Sequence, residues 1–321
     1  MTTVEIPVEK WSGAVREVTL GGSYGGGTRG STVTVGGETA LPFLGFEGTM
    51  PNRPALAVEV VDMKPGEWSP ELVAAWGDDL NDPAKWAARA VEEGADLIAL
   101  KLRSCHPDFG AHSASDARAT VDRVLAAVSV PLIVYGPGTA DQDNDVLVAV
   151  AEATKGEQLA LGLCEEKNYR TIVAAALGNG HLVVAQTPID VNLAKQLNIL
   201  ISDMGLPLER VLMDPNTGAL GYGLEYTYSV MERLRLAALM GDTMTQQPMV
   251  CMPGEEAWRQ KEGRAAADVP EAWGELAERG VAWEVTTAMT LLESGADILV
   301  LRHPSSVGVL RETLDDLMKG A

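Results

Sequence analysis

The chain of 321 residues is 46% hydrophobic and only 5% aromatic, and it carries a net charge of −20. So acidic a surface argues against nonspecific nucleic-acid binding and against attraction to anionic membranes, and no apolar run reaches the roughly 18 residues of a membrane span. The start, Met1-Thr-Thr-Val-Glu5, has no basic or apolar leader, and the three cysteines (Cys105, Cys164, Cys251) are isolated. A cytoplasmic protein with no metal site of its own is therefore expected.

Residues 1–54 differ from the rest. Val15 to Leu20 and Ser31 to Val35 read as two strands around a glycine-rich loop, Gly21 to Gly30. The loop lacks a Gly-Lys-Ser/Thr ending, so a mobile interaction arm is expected rather than a nucleotide site. Pro42, Pro51 and Pro54 then mark an irregular linker.

From Ala55 to the end, 55–321, the text becomes regular. Apolar strands are expected at Ala55–Asp62, Ala95–Leu102, Pro131–Tyr135, Leu159–Cys164, His181–Gln186, Arg210–Met213, Pro248–Met252 and Ala296–Leu301. Helical periodicity separates them, for example Val121, Val124, Leu125 and Val128, or Val307, Leu310, Leu314 and Leu317. Asp82-Pro83 reads as an N-cap followed by a first-turn proline. The stretch Gly254 to Trp273 reads as a wet insertion. Eight strand–helix units in about 250 residues predict an α/β fold, a (β/α)8 TIM barrel with an N-terminal β-hairpin arm. Gly94-Ala-Asp-Leu-Ile-Ala-Leu100 is echoed by Gly295-Ala-Asp-Ile-Leu-Val-Leu301. An open doubly wound sheet would want a glycine fingerprint in the first βα turn, and Val61 to Pro65 is not one.

A barrel works at the C-terminal ends of its strands. Those ends offer Glu59 and Asp62, Lys101 and Arg103, Gly136 and Gly138, then Cys164 and Glu165. Further round come Gln186 and Thr187, Asp214 and Asn216, Cys251, and finally Arg302 and His303. Lys101 as a Schiff-base lysine is weighed against a salt-bridged lysine, and the second is preferred. His303 is either a ligand or base, or a strand-end residue packing on the next helix. Asp190 reads as an N-cap, with Asn192, Lys195, Gln196 and Asn198 decorating the following turns. The stretch Met213 to Tyr228 joins a strand, Asp214-Pro-Asn-Thr-Gly218, Gly221, Gly223 and three tyrosines. It suits close backbone approach to a ligand, or is a plain long βα loop. Amides, hydroxyls and glycines outnumber bases and nucleophiles, so no catalytic residue is assigned.

The residues that settle the reading are long matches: Val33-Thr-Val-Gly-Gly37, Asn52-Arg-Pro54, Lys195-Gln-Leu-Asn-Ile-Leu-Ile201, Gly221-Tyr-Gly223, Met231-Glu-Arg233 and Arg302-His-Pro304. With these the chain closely resembles the small (delta) subunit of the corrinoid iron–sulfur protein of the acetyl-CoA decarbonylase/synthase system. The resemblance implies a heterodimer with a large subunit that carries the corrinoid (cobalamin) and a [4Fe–4S] cluster. It implies methyl transfer from a methyltetrahydropterin, through a methyltetrahydropterin methyltransferase, to acetyl-CoA synthase. The rim residues then expected nearest the corrin are Thr187, Asp190, Asn192, Asp214, Asn216, Thr217, Gly218, Tyr222 and His303. The Asp214-Pro-Asn-Thr-Gly218 loop is also reminiscent of the pterin loop of pterin-binding methyltransferases and dihydropteroate synthases. The alternative is thus a barrel acting directly on methyltetrahydrofolate.

Overall fold

A computed structural model describes residues 6–22, 26–218 and 220–320. The first five residues, the centre of the glycine-rich loop (23–25), Ala219 and Ala321 lie outside the described residues. A two-stranded antiparallel hairpin, β1 (Val18–Leu20) and β2 (Val33–Val35), precedes eight parallel strands that close into a barrel. These are β3 (Ala55–Val61), β4 (Leu97–Lys101), β5 (Leu132–Tyr135), β6 (Ala160–Cys164), β7 (Leu182–Gln186), β8 (Val211–Asp214), β9 (Met249–Cys251) and β10 (Ala296–Leu301), with β10 pairing back onto β3. The (β/α)8 expectation is what the chain adopts.

The helices are α1 (Pro70–Trp76), α2 (Pro83–Glu92), α3 (Ala114–Ala127), α4 (Ala140–Ala153), α5 (Tyr169–Asn179) and α6 (Val191–Asp203). They continue with α7 (Glu225–Leu239), α8 (Pro253–Arg259), α9 (Lys261–Arg264), α10 (Leu276–Glu293) and α11 (Pro304–Leu317). Asp82 caps α2 by accepting from Ala84 N at 3.1 Å, with Pro83 in the first turn. Ser113 and Asp116 form a capping box on α3. Among the described residues no helix is long and apolar enough to cross a membrane.

Two apolar layers hold the fold. Outward-facing strand residues such as Val58, Leu100 and Leu299 pack on helix residues such as Val124, Ile172 and Leu310. Inward-facing Ala57, Leu97, Ile133, Leu182, Leu212 and Ile298 fill the barrel. Val18, Leu20 and Val35 of the hairpin are fully buried in that same inner cluster. The hairpin therefore plugs the N-terminal end of the barrel, which corrects the expectation of a mobile arm. Arg29 pins the far side of the loop: its Nε donates to Glu157 Oε2 and its Nη2 to Leu125 O, both at 2.7 Å. Each buried aliphatic side chain contributes about 1.5–3 kcal/mol, so three outweigh the cost of ordering so short a hairpin only together with these polar anchors.

One further reading changes, and one helix comes to light that periodicity does not show. The "wet" insertion contains α8, whose Gly254, Glu256, Ala257 and Trp258 are buried. The connection after β3 contains α1, and Trp76 donates from Nε1 to Arg302 O at 2.7 Å. In both places a tryptophan supplies the apolar surface that charge-rich neighbours hide from a periodicity count. The internal echo has a structural meaning. Gly94 and Gly295 both end helices at positive φ, +102° and +104°, and the aspartate two residues on accepts a backbone N–H from the neighbouring strand. Asp96 Oδ2 takes Leu56 N at 2.9 Å, and Asp297 Oδ2 takes Met249 N at 2.6 Å.

If the hairpin is a structural plug, Leu20→Ala will lower the free energy of unfolding by about 2–5 kcal/mol in urea denaturation. A loss under about 0.5 kcal/mol would show that the floor contributes nothing.

Candidate functional site

Side chains on a strand alternate between faces. Along β3 the inward positions run Ala55, Ala57, Glu59; along β4, Leu97, Ala99, Lys101; along β7, Leu182, Val184, Gln186. On β8 Leu212 is followed by Asp214, on β5 Ile133 by Tyr135, and after β10 Val300 by Arg302. The last inward layer is thus polar, and it floors a cavity of about 560 Å³ at the C-terminal mouth.

Glu59 is the hub of that layer. It is 1% exposed, and its Oε1 accepts from Arg302 Nε at 3.0 Å while its Oε2 lies 2.9 Å from Lys101 Nζ. Lys101 also pairs with Glu255 of α8, which is 3.9 Å from Arg302 Nη2. Two cations and two carboxylates compensate each other. Burial alone would lower the Lys101 pKa, but Glu59 and Glu255 raise it on balance. The Lys101 ammonium, with smaller help from Arg302, holds the Glu255 carboxyl down at about 2. Lys101 is therefore the salt-bridged lysine expected, with none of the pKa depression that a Schiff-base amine needs. Behind the layer, buried Glu284 of α10 accepts from Arg302 N, His303 N, Trp258 Nε1 and Ser306 Oγ. One carboxylate thereby fixes α8, the end of β10 and the start of α11.

The opposite wall is amide-rich around one buried carboxyl group. Asp214 is buried, and its Oδ2 accepts from Gln186 Nε2 at 2.9 Å and its Oδ1 from Asn216 N at 2.8 Å. Burial outweighs these bonds and pushes the carboxyl up to about 6. Asn216 sits at φ +65°, and Thr217 Oγ1 accepts from Met252 N at 2.8 Å, so this loop is tied to β9. The Tyr135 hydroxyl reaches the cavity, is almost wholly buried and has no hydrogen-bond partner. Its ring lies across β6 at Gly162, where a Cβ would come within 2.8 Å of two ring carbons.

Of the nine rim residues named from the sequence, Asp214, Asn216 and Thr217 line this cavity. Gly218 is the next residue of the same loop, its N–H donated to Thr227 Oγ1 at 3.2 Å. Thr187 lines a separate, smaller hollow of about 210 Å³ with Leu193 and Leu197. Asp190 caps α6, accepting from Asn192 N and Leu193 N, and Asn192 is exposed. Asn198 is buried, donating to Met244 O and Gln247 Oε1, so it does not decorate the rim. Tyr222 is 90% exposed on the β8–α7 loop. His303 caps α11, accepting from Ser305 N at 3.1 Å, and stacks on Trp258 at 5.6 Å. Burial lowers its pKa to about 4, so the ring is neutral at pH 7. It caps the next helix, packs on α8 and does not line the cavity.

Tyr135 and Glu255 were missed from sequence. Counting every second residue along each strand reaches Tyr135; nothing local marks Glu255. The three cysteines are buried, and burial pushes the Cys105 thiol up to about 11, so no thiolate nucleophile is available. Among the described residues no group of three or more His, Cys, Asp or Glu side chains could hold a metal ion.

Residues 17–314 match the family model described as the CO dehydrogenase/acetyl-CoA synthase delta subunit. The chain is 38% identical to the acetyl-CoA decarbonylase/synthase complex subunit delta 1 of Methanosarcina thermophila, over 97% of this chain and 72% of that one. It is 39% identical to the corresponding delta subunit of Methanopyrus kandleri, over 96% and 76%. Among solved structures it resembles the dihydropteroate synthase of Xanthomonas albilineans in complex with 7,8-dihydropteroate, with TM-score 0.58 and 17% identity over 88% and 100% of the two chains. The enzyme of Burkholderia cenocepacia gives TM-score 0.53 at 16% identity, over 88% and 99%. At these identities the structural likeness establishes the barrel.

Replacing Glu59 with Gln will leave a buried and a half-buried cation short of one negative charge and cost about 3–5 kcal/mol of stability. Arg259→Gln, which removes an exposed partner of Glu255, will cost less than about 1 kcal/mol. Equal losses in chemical denaturation would contradict the hub assigned to Glu59.

Proposed function

The chain belongs to the CO dehydrogenase/acetyl-CoA synthase delta-subunit family, and from this we propose that it is the small subunit of a corrinoid methyl carrier. The family match, which spans almost the whole barrel, carries the reading. As a delta-type subunit the chain works among partner subunits. In this proposal its mouth covers the cobalt face of a corrinoid held by a large, cysteine-bearing iron–sulfur subunit. The methyl donor is a methyltetrahydropterin, reached through its methyltransferase, and the acceptor is acetyl-CoA synthase.

The residues at the mouth suit a lid. Tyr222, Tyr226 and Phe109 are 90%, 58% and 41% exposed and offer flat apolar faces at the rim. Gly221 leaves the backbone uncovered beside Gln260, and Asn216 adds an amide within the cavity. Amides and tyrosine hydroxyls are hydrogen-bonding partners for the carboxamides on a corrin rim. When bound, the corrinoid supplies the cobalt that carries the methyl group. The protein's part is to exclude water from that face and to orient it, since Glu59, Lys101, Glu255 and Arg302 are already paired with one another.

A second reading has its own support. The enclosed part of the cavity, with Asp214, Gln186 and the free Tyr135 hydroxyl, suits a small planar heterocycle better than a broad ring. A solved neighbour of the same fold is bound to 7,8-dihydropteroate. Here the chain would bind the methyltetrahydrofolate itself.

Mixing the pure chain with a corrinoid-bearing subunit will give a coloured one-to-one complex in size-exclusion chromatography with scattering detection. In that complex Tyr222→Ala and Asn216→Ala will slow methyl transfer about tenfold or more without lowering the melting temperature. A chain that stays colourless and monomeric overturns the carrier reading. Tight binding of methyltetrahydrofolate by the isolated chain in calorimetry would favour the second.

A further inference from the structure

The floor of the barrel holds an unbalanced charge cluster. After β2 the chain turns through Gly36 and Gly37 at φ +85° and +92°, and a Cβ at Gly36 would lie 1.9 Å from Arg16 O. The turn delivers Glu38 under the barrel, where it is 3% exposed. Its backbone O accepts from Val15 N at 2.9 Å, closing the base of the hairpin. Its side chain meets Arg235 of α7 and Asp297 of β10. Arg235 is committed elsewhere: Nη2 donates to Asp297 Oδ2 at 2.7 Å and to Gly295 O. It reaches Glu38 Oε2 only at 3.6 Å, and that oxygen has no hydrogen-bond donor. The Glu38 and Asp297 carboxyl groups therefore share one guanidinium, and Asp297 holds the closer place on it.

Two carboxyl groups with one guanidinium between them, all buried, leave one negative charge uncompensated if both ionise. The other groups nearby do not repair the balance. The Cys251 thiol of β9 is buried, and burial keeps it protonated. At the start of the hairpin, Arg16 pairs with Glu209 and Glu17 accepts from Asn52. The echo position makes the contrast plain: Asp96, at the same point of β4, is served by two cations, Arg53 and Arg311.

We propose that Glu38 is a proton-held latch: it seats the N-terminal hairpin on the barrel floor while protonated and releases it as the proton is lost. The inference is independent of the methyl-carrier reading. Burial first, and Asp297 next, hold the Glu38 carboxyl up at about 8 against the opposing pull of Arg235. An acid raised on folding gives its full stabilisation below its ordinary value of 4.5. That stabilisation falls as pH rises towards about 8 and is spent above it.

The test is amide hydrogen exchange on the full chain, corrected for intrinsic rates. Gly13 N and Arg16 N, which donate to Leu239 O and Gln246 O, report hairpin opening. Their opening equilibrium should rise roughly tenfold per pH unit between about pH 6 and pH 8, while amides in α4 change little. In Glu38→Gln, which is neutral at every pH, the rise should vanish. Infrared spectra of the unsubstituted chain should show a protonated carboxyl that titrates near pH 8. This readout decides the matter even if the variant does not fold. Protection of the hairpin that is flat with pH, no carboxyl titrating near that value, or the same rise in Glu38→Gln would overturn the latch.

Discussion

A buried carboxylate shared by two cations governs the working end of this barrel. Glu59 stands on β3 but is answered by Lys101 of β4 and Arg302 beyond β10, its two neighbours in the closed sheet. A closed sheet is what makes this economical. Strands first and eighth in sequence become adjacent, so one side chain bridges the seam where the barrel closes. Glu255 then ties α8 to the same cations, and Glu284 fixes the turn that carries Arg302. The charged layer is in effect part of the core, and its groups stabilise one another before any ligand arrives.

The two ends of the barrel obey opposite rules. The lower end is sealed by an apolar hairpin whose Val18 and Leu20 join the inner cluster. The upper end is floored by charge and opens into a cavity. Stability and function are thereby separated along the barrel axis. At the mouth itself there is a second division, between a deep part walled by Tyr135, Gln186 and Asp214 and an outer rim of exposed tyrosines. The deep part suits a small ligand and the rim suits a broad face, which is why the two functional readings address different depths of one opening.

Much of this was legible in the chain. Strands buried on both faces read as continuous apolar runs, and eight of them with intervening helices leave few architectures. Helix caps such as Asp82 and Asp190 were readable because a short polar side chain before a helix has one common use. The site was less legible. Asp214 and Asn216 announce themselves in a loop, but Tyr135 sits in an apolar run and its importance lies in the direction it points. Glu255 belongs to a charged stretch that looked solvated until Trp258 pulled α8 onto the barrel. The glycine-rich segment misled in the other direction. Its composition suggests freedom, while its flanks, Val18 to Leu20 and Val33 to Val35, are ordinary β-formers that found a partner surface inside the barrel.

The Tyr135–Gly162 contact carries a consequence for how such a mouth can diversify. The tyrosine ring lies against a place where the neighbouring strand has no side chain, with only 2.8 Å available for a Cβ. The depth of the opening is therefore set by an absence. Any residue larger than glycine at that point must displace the ring, and its hydroxyl with it, and so change the shape of the opening. A lineage could in this way retune which guests enter through one backbone-adjacent position, leaving the charged layer and the amide wall as they are.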